Sequence, residues 1–506
     1  MTNVVIFLAD DLGYSDIGCY GGEIKTPNID SLAAHGVRMS NFHNTPRCSP
    51  SRASLLTGLH PHQTGMGILA NDDSAKGGYT GKLNDRCITL AEVLRGEGFT
   101  TAIRGKWHLT PSNRVPDDAW PTNRGFDTFW GTMTGCGTYY QPGTLTRGTE
   151  NIDHEADREG FFYTDVIADQ SVDFLKSHKT ENPDKPYFLY VPFTAPHWPL
   201  HAREETIKEY DGVYEAGWDK LRETRLQRQK ELGLLPEYLE LSPRDEGVPS
   251  WENEAHKEWQ VRCMQVYAAM VTEMDRAIGQ ILEQIRANGD WEDTVILFMS
   301  DNGASADPMP FGEIADFRER RDILHKKTKD GRDVRIGNDP LVMPGGEETY
   351  QSYGRGWANL SNTPFKLFKL SNTFLNNDLG IINISSKLFR TSDFDFARIQ
   401  NVGAKSMIEL DHFLDFLKKF IVSLSEIRTE DEINKLVYKY ILKNIFINIE
   451  IPEDILSTSS LLKILEYLIL NDAIYKTGHE NYILKYGINI FNNKFSKYII
   501  ILNYRQ

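Results

Sequence analysis

The sequence predicts an α/β fold, in which a mostly parallel sheet carries helices on both faces. Short, continuous apolar runs such as Val4 to Leu8 are typical of strands that are buried on both faces. Between such runs lie stretches with helical spacing of their apolar residues, of which Glu258 to Ala287 is the longest. Their alternation indicates parallel strands joined by helices, and such sheets bind ligands at the carboxyl ends of the strands.

Three further elements follow the first strand in chain order. A helix is predicted to begin at Pro27, with Thr26 as its N-cap, and to stop at Gly36. Two more buried strands are predicted at Tyr187 to Val191 and at Thr294 to Met299, before and after the long helix.

Composition and charge exclude several functional classes. The chain has 506 residues, with 56 Lys and Arg against 71 Asp and Glu, and a formal charge of -15. This balance disfavours a general binder of nucleic acid or of anionic membranes, since both are polyanions. Five cysteines without a CxxC pair indicate neither a disulfide framework nor a zinc site. No apolar run reaches the ~18 residues of a membrane helix. No signal peptide is expected in the sequence as written, so a cytoplasmic protein and one that has lost its leader both remain open.

The composition changes abruptly near Lys369. All nine tryptophans and all five cysteines lie before this point, as do 21 of the 22 prolines. Residues 370–506 contain 16 Lys and Arg and 16 Asp and Glu, so the whole charge of -15 lies in residues 1–369. The chain is therefore predicted to consist of two parts of different origin, which meet between residues 369 and 370.

Acidic residues follow two of the predicted strands. Asp10 and Asp11 come directly after the first strand, and Asp301 and Asn302 follow the strand that ends near Met299. Carboxylate and amide oxygens at one edge of a sheet form a hard ligand set that suits Ca²⁺ or Mg²⁺. A solvated strand end with a turn would explain either pair alone, but the two pairs together favour a metal site.

A cysteine lies in the run CSPSRASLLTG, which begins at Cys48. Pro50 and Ser51 are typical of a helix start, which would place the thiol beside a helix N-terminus and near Arg47 and Arg52. Such surroundings predict a lowered thiol pKa and a reactive cysteine. A lone cysteine is more often an inert core residue, and the Cys-x-Pro-Ser-Arg pattern is what favours the reactive interpretation here.

This run resembles the signature of the type I sulfatases, which belong to the alkaline-phosphatase superfamily. Other motifs support the resemblance in the family's order over residues 1–369: NVVIFLADDLGYSDIGCYGG, TPNIDSLAAHG, GKWHL at 105–109, GFDTFWG at 125–131, APHWP at 195–199 and SDNG at 300–303. The resemblance implies an alkaline-phosphatase-like sheet. It also implies that a sulfatase-modifying enzyme oxidises Cys48 to formylglycine, whose hydrate attacks sulfur with one hydroxyl and expels sulfate with the other.

The resemblance further implies a role for each motif residue. Arg52 and Lys106 would stabilise charge on the sulfate oxygens, and Lys106, His197 and Lys369 would contact the substrate. His108 would lie near the hydroxyl that is deprotonated for elimination, with His197 as the general acid at the leaving oxygen. The implied ligands of the divalent cation, Ca²⁺ or Mg²⁺, are Asp10, Asp11, Asp301, Asn302 and the formylglycine made from Cys48.

The resemblance ends just after Lys369. The stretch from Asn362 to Lys369 fits the family pattern, but Phe374 stands where the family has a glutamate, and no Gly-Gly pair follows. The family's later strands and its small C-terminal subdomain are not recognisable. The central sheet is therefore expected to be truncated, with an unpaired edge.

Residues 370–506 are predicted to be mostly helical and unrelated to the first part, with a strand at Tyr498 to Tyr504. Within them, 379–420 resembles a helix-hairpin-helix, most similar to the C-terminal domain of the bacterial RNA polymerase α subunit. A helical packing unit with a glycine turn remains the alternative, because the motif run within it, 399–410, has no net positive charge.

The expected function is hydrolysis of an aryl or carbohydrate sulfate monoester. The expected partners are a sulfated small molecule or glycan and the modifying enzyme, with no membrane and no nucleic acid. Two alternatives remain: a phosphonate or phosphate ester hydrolase of the same superfamily, and an inactive chain whose tail is a binding module.

Overall fold

The computed structural model describes residues 2–70, 78–309, 320, 322–366 and 368–369, together with four strands between 474 and 504. Its helices are α1 (Pro27–Ala34), α2 (Cys48–Thr57), α3 (Leu90–Gly96), α4 (Tyr163–Glu181), α5 (Glu204–Ile207), α6 (Gly217–Glu231), α7 (Lys257–Ala287) and α8 (Gly354–Ser361). Its strands are β1 (Asn3–Ala9), β2 (Val37–Phe42), β3 (Thr100–Arg104), β4 (Thr128–Thr132), β5 (Leu145–Arg147), β6 (Glu150–Asn151), β7 (Tyr187–Pro192), β8 (Thr294–Ser300), β9 (Arg335–Ile336), β10 (Thr349–Tyr350), β11 (Ile474–Thr477), β12 (Asn481–Leu484), β13 (Ile488–Phe491) and β14 (Ile499–Tyr504).

One large sheet organises the described residues, and its strand order is β11-β12-β13-β2-β14-β8-β1-β7-β3-β4-β5-β6. The seven strands from β2 to β4 in this order are parallel to one another. Antiparallel strands flank them at both ends. The predicted α/β class and the predicted buried strands β1, β7 and β8 are confirmed.

Helices cover both faces of this sheet. Alternate residues of β1 point to opposite faces, so Val5 and Phe7 join a core with α1, α4, α6, α7 and α8, whereas Val4 and Ile6 join a core with α2 and α3. The long helix α7 lies on the first face and buries an apolar stripe along its whole length. No helix in the described ranges is long and apolar enough to span a bilayer.

The centre of the sheet places the predicted acids together. Strands β1 and β8 pair in register from Asn3 with Thr294 to Ala9 with Ser300. Asp10 and Asp301, the next residue of each chain segment, therefore leave the sheet side by side, and the Asp301 amide donates to the Ala9 carbonyl at 3.0 Å.

A strand from the second part of the chain lies inside the sheet that the sequence predicted to be truncated. β14 lies between β2 and β8 and is parallel to both. The edges of β2 and β8 that face β14 are therefore paired. β14 corresponds to the strand predicted at Tyr498 to Tyr504, and the tail residues that the structure describes are all strands. The predicted tail helices and the helix-hairpin-helix at 379–420 lie outside the described residues.

Candidate active site

The site lies at the carboxyl ends of the parallel strands, where this fold class is expected to bind ligands. Two acids follow β1, an acid and an amide follow β8, a lysine and a histidine follow β3, and a histidine follows β7. Helix α2 points its first residue, Cys48, towards them. The structure thus brings all ten sequence-predicted site residues to one edge of the sheet: Asp10, Asp11, Cys48, Arg52, Lys106, His108, His197, Asp301, Asn302 and Lys369.

A buried arginine joins the two acids that leave the central strands. Arg52 is fully buried in α2, and its Nε donates to Asp301 Oδ2 at 2.9 Å. Its terminal nitrogen Nη2 lies 2.9 Å from the same oxygen and 3.6 Å from Asp10 Oδ2. Arg52 also donates to the Lys106 carbonyl at 3.0 Å. The arginine therefore fixes the helix that carries Cys48 to both acid-bearing strand ends.

Asp11 and Asn302, the second residues after β1 and β8, are hydrogen-bonded to each other. Asn302 Nδ2 donates to Asp11 Oδ1 at 2.6 Å, and the Asp11 amide lies 3.4 Å from Asp301 Oδ1. Asp11 has a positive φ of 66°, a left-handed conformation that a non-glycine residue adopts only when its surroundings hold it there. The loop after β1 is thus held in one shape by the loop after β8.

Two lysines pair with the acids. Lys106 Nζ bonds to Asp10 Oδ2, and Lys369 Nζ lies 2.7 and 2.9 Å from the two carboxylate oxygens of Asp11. His197 Nε2 also lies 3.4 Å from Asp11 Oδ2. All these side chains are buried, so the site concentrates opposite charges in a region shielded from water.

The pKa values of Asp10 and Asp301 shift in opposite directions. Burial acts to raise the pKa of Asp10, but the charges of Lys106, His197 and Arg52 together bring that pKa below its usual range. Burial, reinforced by the charge of Asp10, raises the pKa of Asp301 to about 7. Two carboxylates this close cannot both ionise cheaply without further positive charge.

The residues fit a hard divalent cation. Two buried oxygens at this edge, Asp10 Oδ1 and Asn302 Oδ1, have no hydrogen-bond partner among the described residues. Ligand atoms of Asp10, Asp11 and His197 lie within 4.8 Å of one another. The two carboxylates of this cluster and the orphaned oxygens beside it are donors that suit a hard cation such as Ca²⁺ or Mg²⁺, and His197 would add a nitrogen.

Cys48 differs from the sequence prediction in two respects. Helix α2 begins at Cys48 itself rather than at Pro50. Burial raises the pKa of the Cys48 thiol and outweighs the opposing charges of Lys106 and Lys369, so the predicted lowering is wrong. The helix terminus and the cations are present as expected, but the thiol has lost contact with water, which the sequence does not show.

A histidine contacts this thiol. His108 Nδ1 lies 3.3 Å from Cys48 Sγ. Burial, with the charge of Lys106 added, lowers the pKa of the His108 imidazole well below its ordinary value. A neutral ring next to residue 48 has a nitrogen that can accept a proton, while the lowered pKa also makes the ring a weaker base.

Sequence reasoning missed the residues that hold the loop after β1. Asp16 Oδ2 accepts from the Gly13 amide at 2.9 Å and from the Tyr267 hydroxyl at 2.7 Å. Asp16 Oδ1 accepts at 2.7 Å from Arg225, which is fully buried in α6 and also pairs with Glu23. Asp16 lies inside a recognised motif, but Arg225 and Tyr267 belong to none, so only the fold connects them to the site.

An α/β sheet with a buried cysteine, acids, lysines and histidines at its carboxyl edge is the arrangement expected of a hydrolase of charged esters. The comparison with known proteins identifies which one. The family model for sulfatases matches residues 2–349. The chain belongs to the sulfatase family and is a sulfuric ester hydrolase.

Individual relatives agree with the family model. An uncharacterized sulfatase of Schizosaccharomyces pombe is 36% identical over 391 residues, which cover 72% of this chain and 67% of that protein. An arylsulfatase of Klebsiella aerogenes is 34% identical over 375 residues, covering 72% of this chain and 76% of that protein. Among solved structures, Ps i-CgsB in complex with k-i-k-neocarrahexaose has a TM-score of 0.44 at 26% identity, covering 60% of this chain and 59% of that one.

Proposed function

We propose that this chain hydrolyses aryl or carbohydrate sulfate monoesters, with Cys48 converted to formylglycine and with Ca²⁺ or Mg²⁺ in the acidic cluster. The observation that carries the proposal is the position of Cys48. Its side chain contacts His108, whose imidazole pKa is lowered, and lies among the buried cations Arg52, Lys106 and Lys369.

Formylglycine, as its hydrate, supplies two hydroxyls on one carbon, so that one serves as the nucleophile and loss of the other's proton releases sulfate. The protein's own residues then handle the protons. His108 Nδ1, which faces residue 48, takes the proton that must leave before sulfate is released. His197 Nε2 lies among the lysines and Asp11, and it donates a proton to the alcohol oxygen that leaves.

The cationic side chains stabilise charge on the sulfate oxygens. Lys106 and Lys369 carry flexible ammonium groups that bond to Asp10 and Asp11, and each can turn to a substrate oxygen. Arg52 stays bound to Asp301 and contributes its charge through the shielded interior. These interactions cost no reorganisation of water because the site is already buried.

Asp10, Asp11, Asp301 and Asn302 would hold the divalent cation, which neutralises sulfate oxygens and favours the ionised nucleophile. The support is the pair of orphaned buried oxygens and the raised pKa of Asp301. The modifying enzyme is the implied protein partner, because only its product, hydrated formylglycine, carries the two hydroxyls that the reaction uses.

The experiment joins mass spectrometry and turnover. The chain is produced together with a formylglycine-generating enzyme, and the tryptic peptide that contains residue 48 is weighed. We expect a mass decrease of about 18 Da, since CH₂SH becomes CHO, and turnover of an aryl sulfate that Cys48→Ala abolishes.

Two results would contradict the proposal. An unmodified thiol in the presence of an active modifying enzyme removes the nucleophile. Faster turnover of the matched aryl phosphate than of the aryl sulfate assigns the site to phosphate esters instead. Cys263→Ala is the control, because Cys263 is another buried cysteine and belongs to none of the motifs that form the site.

A further inference from the structure

The position of the His108 ring depends on the backbone conformation of His108 and on the short segment that follows β4. His108 follows β3 with a positive φ of 56°. Its amide donates to the Met133 carbonyl at 3.2 Å, and the preceding Trp107 amide donates to the Thr132 carbonyl at 2.9 Å. The segment that carries His108 thus runs alongside the end of β4, and the residues that follow β4 close over the imidazole.

One residue of that following segment lies against the ring. A Cβ atom added to Gly135 would lie 2.5 Å from His108 Nε2 and 2.7 Å from Nδ1. Both distances are far below van der Waals contact. The φ of Gly135 is outside the left-handed range, so its backbone conformation does not itself require glycine. Glycine at position 135 therefore leaves the space that the His108 imidazole occupies.

The segment around Gly135 cannot easily move away. At its start, the Thr134 amide donates to Thr144 Oγ1 at 3.2 Å. At its end, the Tyr139 amide donates to Nδ1 of the buried His201 at 3.3 Å, and His201 Nε2 bonds the Thr349 carbonyl at 2.7 Å. Because both ends are tied to buried groups, an added methyl group would displace the ring rather than the segment.

We propose that Gly135 is a positioning residue for the proposed sulfatase reaction: its bare backbone is the surface on which the His108 imidazole lies, with Nδ1 directed at residue 48. The catalytic consequence rests on the proposed function, whereas the geometric claim does not. A side chain at position 135 turns the ring and separates Nδ1 from residue 48.

The chain offers a matched control two residues further on. A Cβ at Gly137 would meet only the backbone of Ile323, at 3.5 and 3.8 Å, which is ordinary contact. Its φ is also outside the left-handed range. Gly135→Ala and Gly137→Ala are therefore the same substitution in the same segment, and only the first reaches the imidazole.

The first test needs no catalysis. Crystal structures of the unmodified parent, Gly135→Ala and Gly137→Ala are compared at the contact between His108 Nδ1 and Cys48 Sγ, which is 3.3 Å in the parent. We expect this distance to exceed about 4 Å in Gly135→Ala, beyond hydrogen-bond reach, and to stay unchanged in Gly137→Ala. An unchanged ring in Gly135→Ala overturns the proposal.

The second test uses the same proteins after conversion of residue 48. Loss of a well-placed general base predicts that kcat for an aryl sulfate falls about 10²-fold in Gly135→Ala, while KM changes little and Gly137→Ala resembles the parent. If kcat and KM change to the same extent in Gly135→Ala and in Gly137→Ala, the effect belongs to the segment as a whole, and the proposal is overturned. A converted parent with no turnover would instead disprove the proposed function and leave the crystal comparison valid.

A double-mutant cycle covers the case in which Gly135→Ala folds poorly. His108→Ala removes the ring, so the methyl group at position 135 then has space. In the parent background we expect Gly135→Ala to lower both the thermal midpoint and the turnover. In the His108→Ala background we expect it to change neither the thermal midpoint nor the residual turnover. An equal loss in both backgrounds overturns the proposal.

Discussion

Glu273 is a buried carboxylic acid outside the active site whose protonation affects stability. It is 3% exposed in α7, and its Oε1 accepts from the Arg203 amide at 3.0 Å, whereas Oε2 has no partner among the described residues. Burial, opposed by that amide bond, raises the pKa of Glu273 from 4.5 to about 7. The folded chain therefore binds a proton between these pH values that the unfolded chain has released.

This proton predicts a pH-dependent free energy of unfolding. The contribution of Glu273 is fully present below pH 4.5 and falls as the pH rises to about 7, because the folded state holds the extra proton in that window. Glu273→Gln cannot ionise, so its stability relative to the parent should increase by roughly 1 to 3 kcal/mol across the window. Urea unfolding at several pH values measures this. Glu283→Gln, at an exposed position of α7, is the control, and a parallel pair of pH profiles for Glu273→Gln and the parent would refute the prediction.

The orphaned amide oxygen of Asn302 predicts a cation response. Saturating Ca²⁺ should stabilise the chain by about 3 kcal/mol at a concentration 100 times its dissociation constant. Asn302→Ala removes one proposed ligand and the hydrogen bond to Asp11. We therefore expect the apparent affinity for Ca²⁺, obtained from the cation-induced rise in thermal midpoint, to fall at least tenfold. Scanning calorimetry with and without a chelator measures both effects. Asn151→Ala, in the exposed strand β6, should respond like the parent; an equal response from Asn302→Ala would exclude this residue as a ligand.

Individual residues of the site were largely predictable, and their electrostatics were not. Asp10, Cys48 and Lys106 lie in motifs whose order along the chain implies a common edge of the sheet. The pKa of Cys48 was predicted with the wrong sign because the opposing effects of helix terminus, cations and burial depend on the water content of the folded site. Gly135 gave no sequence signal, since the collision that explains it involves a ring distant in the chain.

At the scale of elements, helix α1 shows how a cap can come from another helix. Thr26 occupies the N-cap position as predicted, but its hydroxyl accepts from the Gly18 amide and makes no capping bond to the first amides of α1. Asp275 of α7 takes this role: its carboxylate accepts from the Ile29 amide at 2.8 Å and from the Asn28 amide at 3.2 Å. Local sequence located the helix start, but the group that satisfies its amides lies about 250 residues away.

Removing this cap should destabilise the contact between α1 and α7. Asp275→Ala leaves two amides at the start of α1 without a partner, and each such loss costs about 1 to 3 kcal/mol. Amide hydrogen exchange should accelerate at Asn28 and Ile29, and urea unfolding should show the loss in free energy. Arg276→Ala, which removes an exposed ion pair with Glu209, should cost less than about 1 kcal/mol. Equal costs for the two variants would show that the cap contributes nothing.

At the scale of the whole molecule, the sheet joins segments from the two ends of the chain. The class of fold and its central strands could be predicted because continuous apolar runs are local signals. The neighbours of β14 could not, because strand pairing is decided by which edges the rest of the fold leaves open. The resemblance to the family led us to expect a truncated sheet with an unpaired edge, and the structure places residues 499–504 between β2 and β8.

This placement predicts protected backbone amides near the C-terminus. Residues 499–504 pair with strands on both sides, so their exchange should be slow and comparable to that of β8. Deleting residues 499–506 should expose the edges of β2 and β8 and accelerate exchange in both. Hydrogen exchange followed by mass spectrometry measures the full chain and the deletion. Fast exchange at 499–504 in the full chain would show that β14 does not occupy this position.

The pairing of lysines with acids in the active site has a consequence for ligand binding. Lys106 bonds Asp10 and Lys369 bonds Asp11, so the same carboxylates are partners of the ammonium groups and candidate ligands of the cation. A cation that takes the carboxylates releases both ammonium groups for an anion, and an anion that takes the ammonium groups releases the carboxylates. Positive heterotropic cooperativity follows, and linkage requires that cation and anion strengthen each other's binding by the same factor.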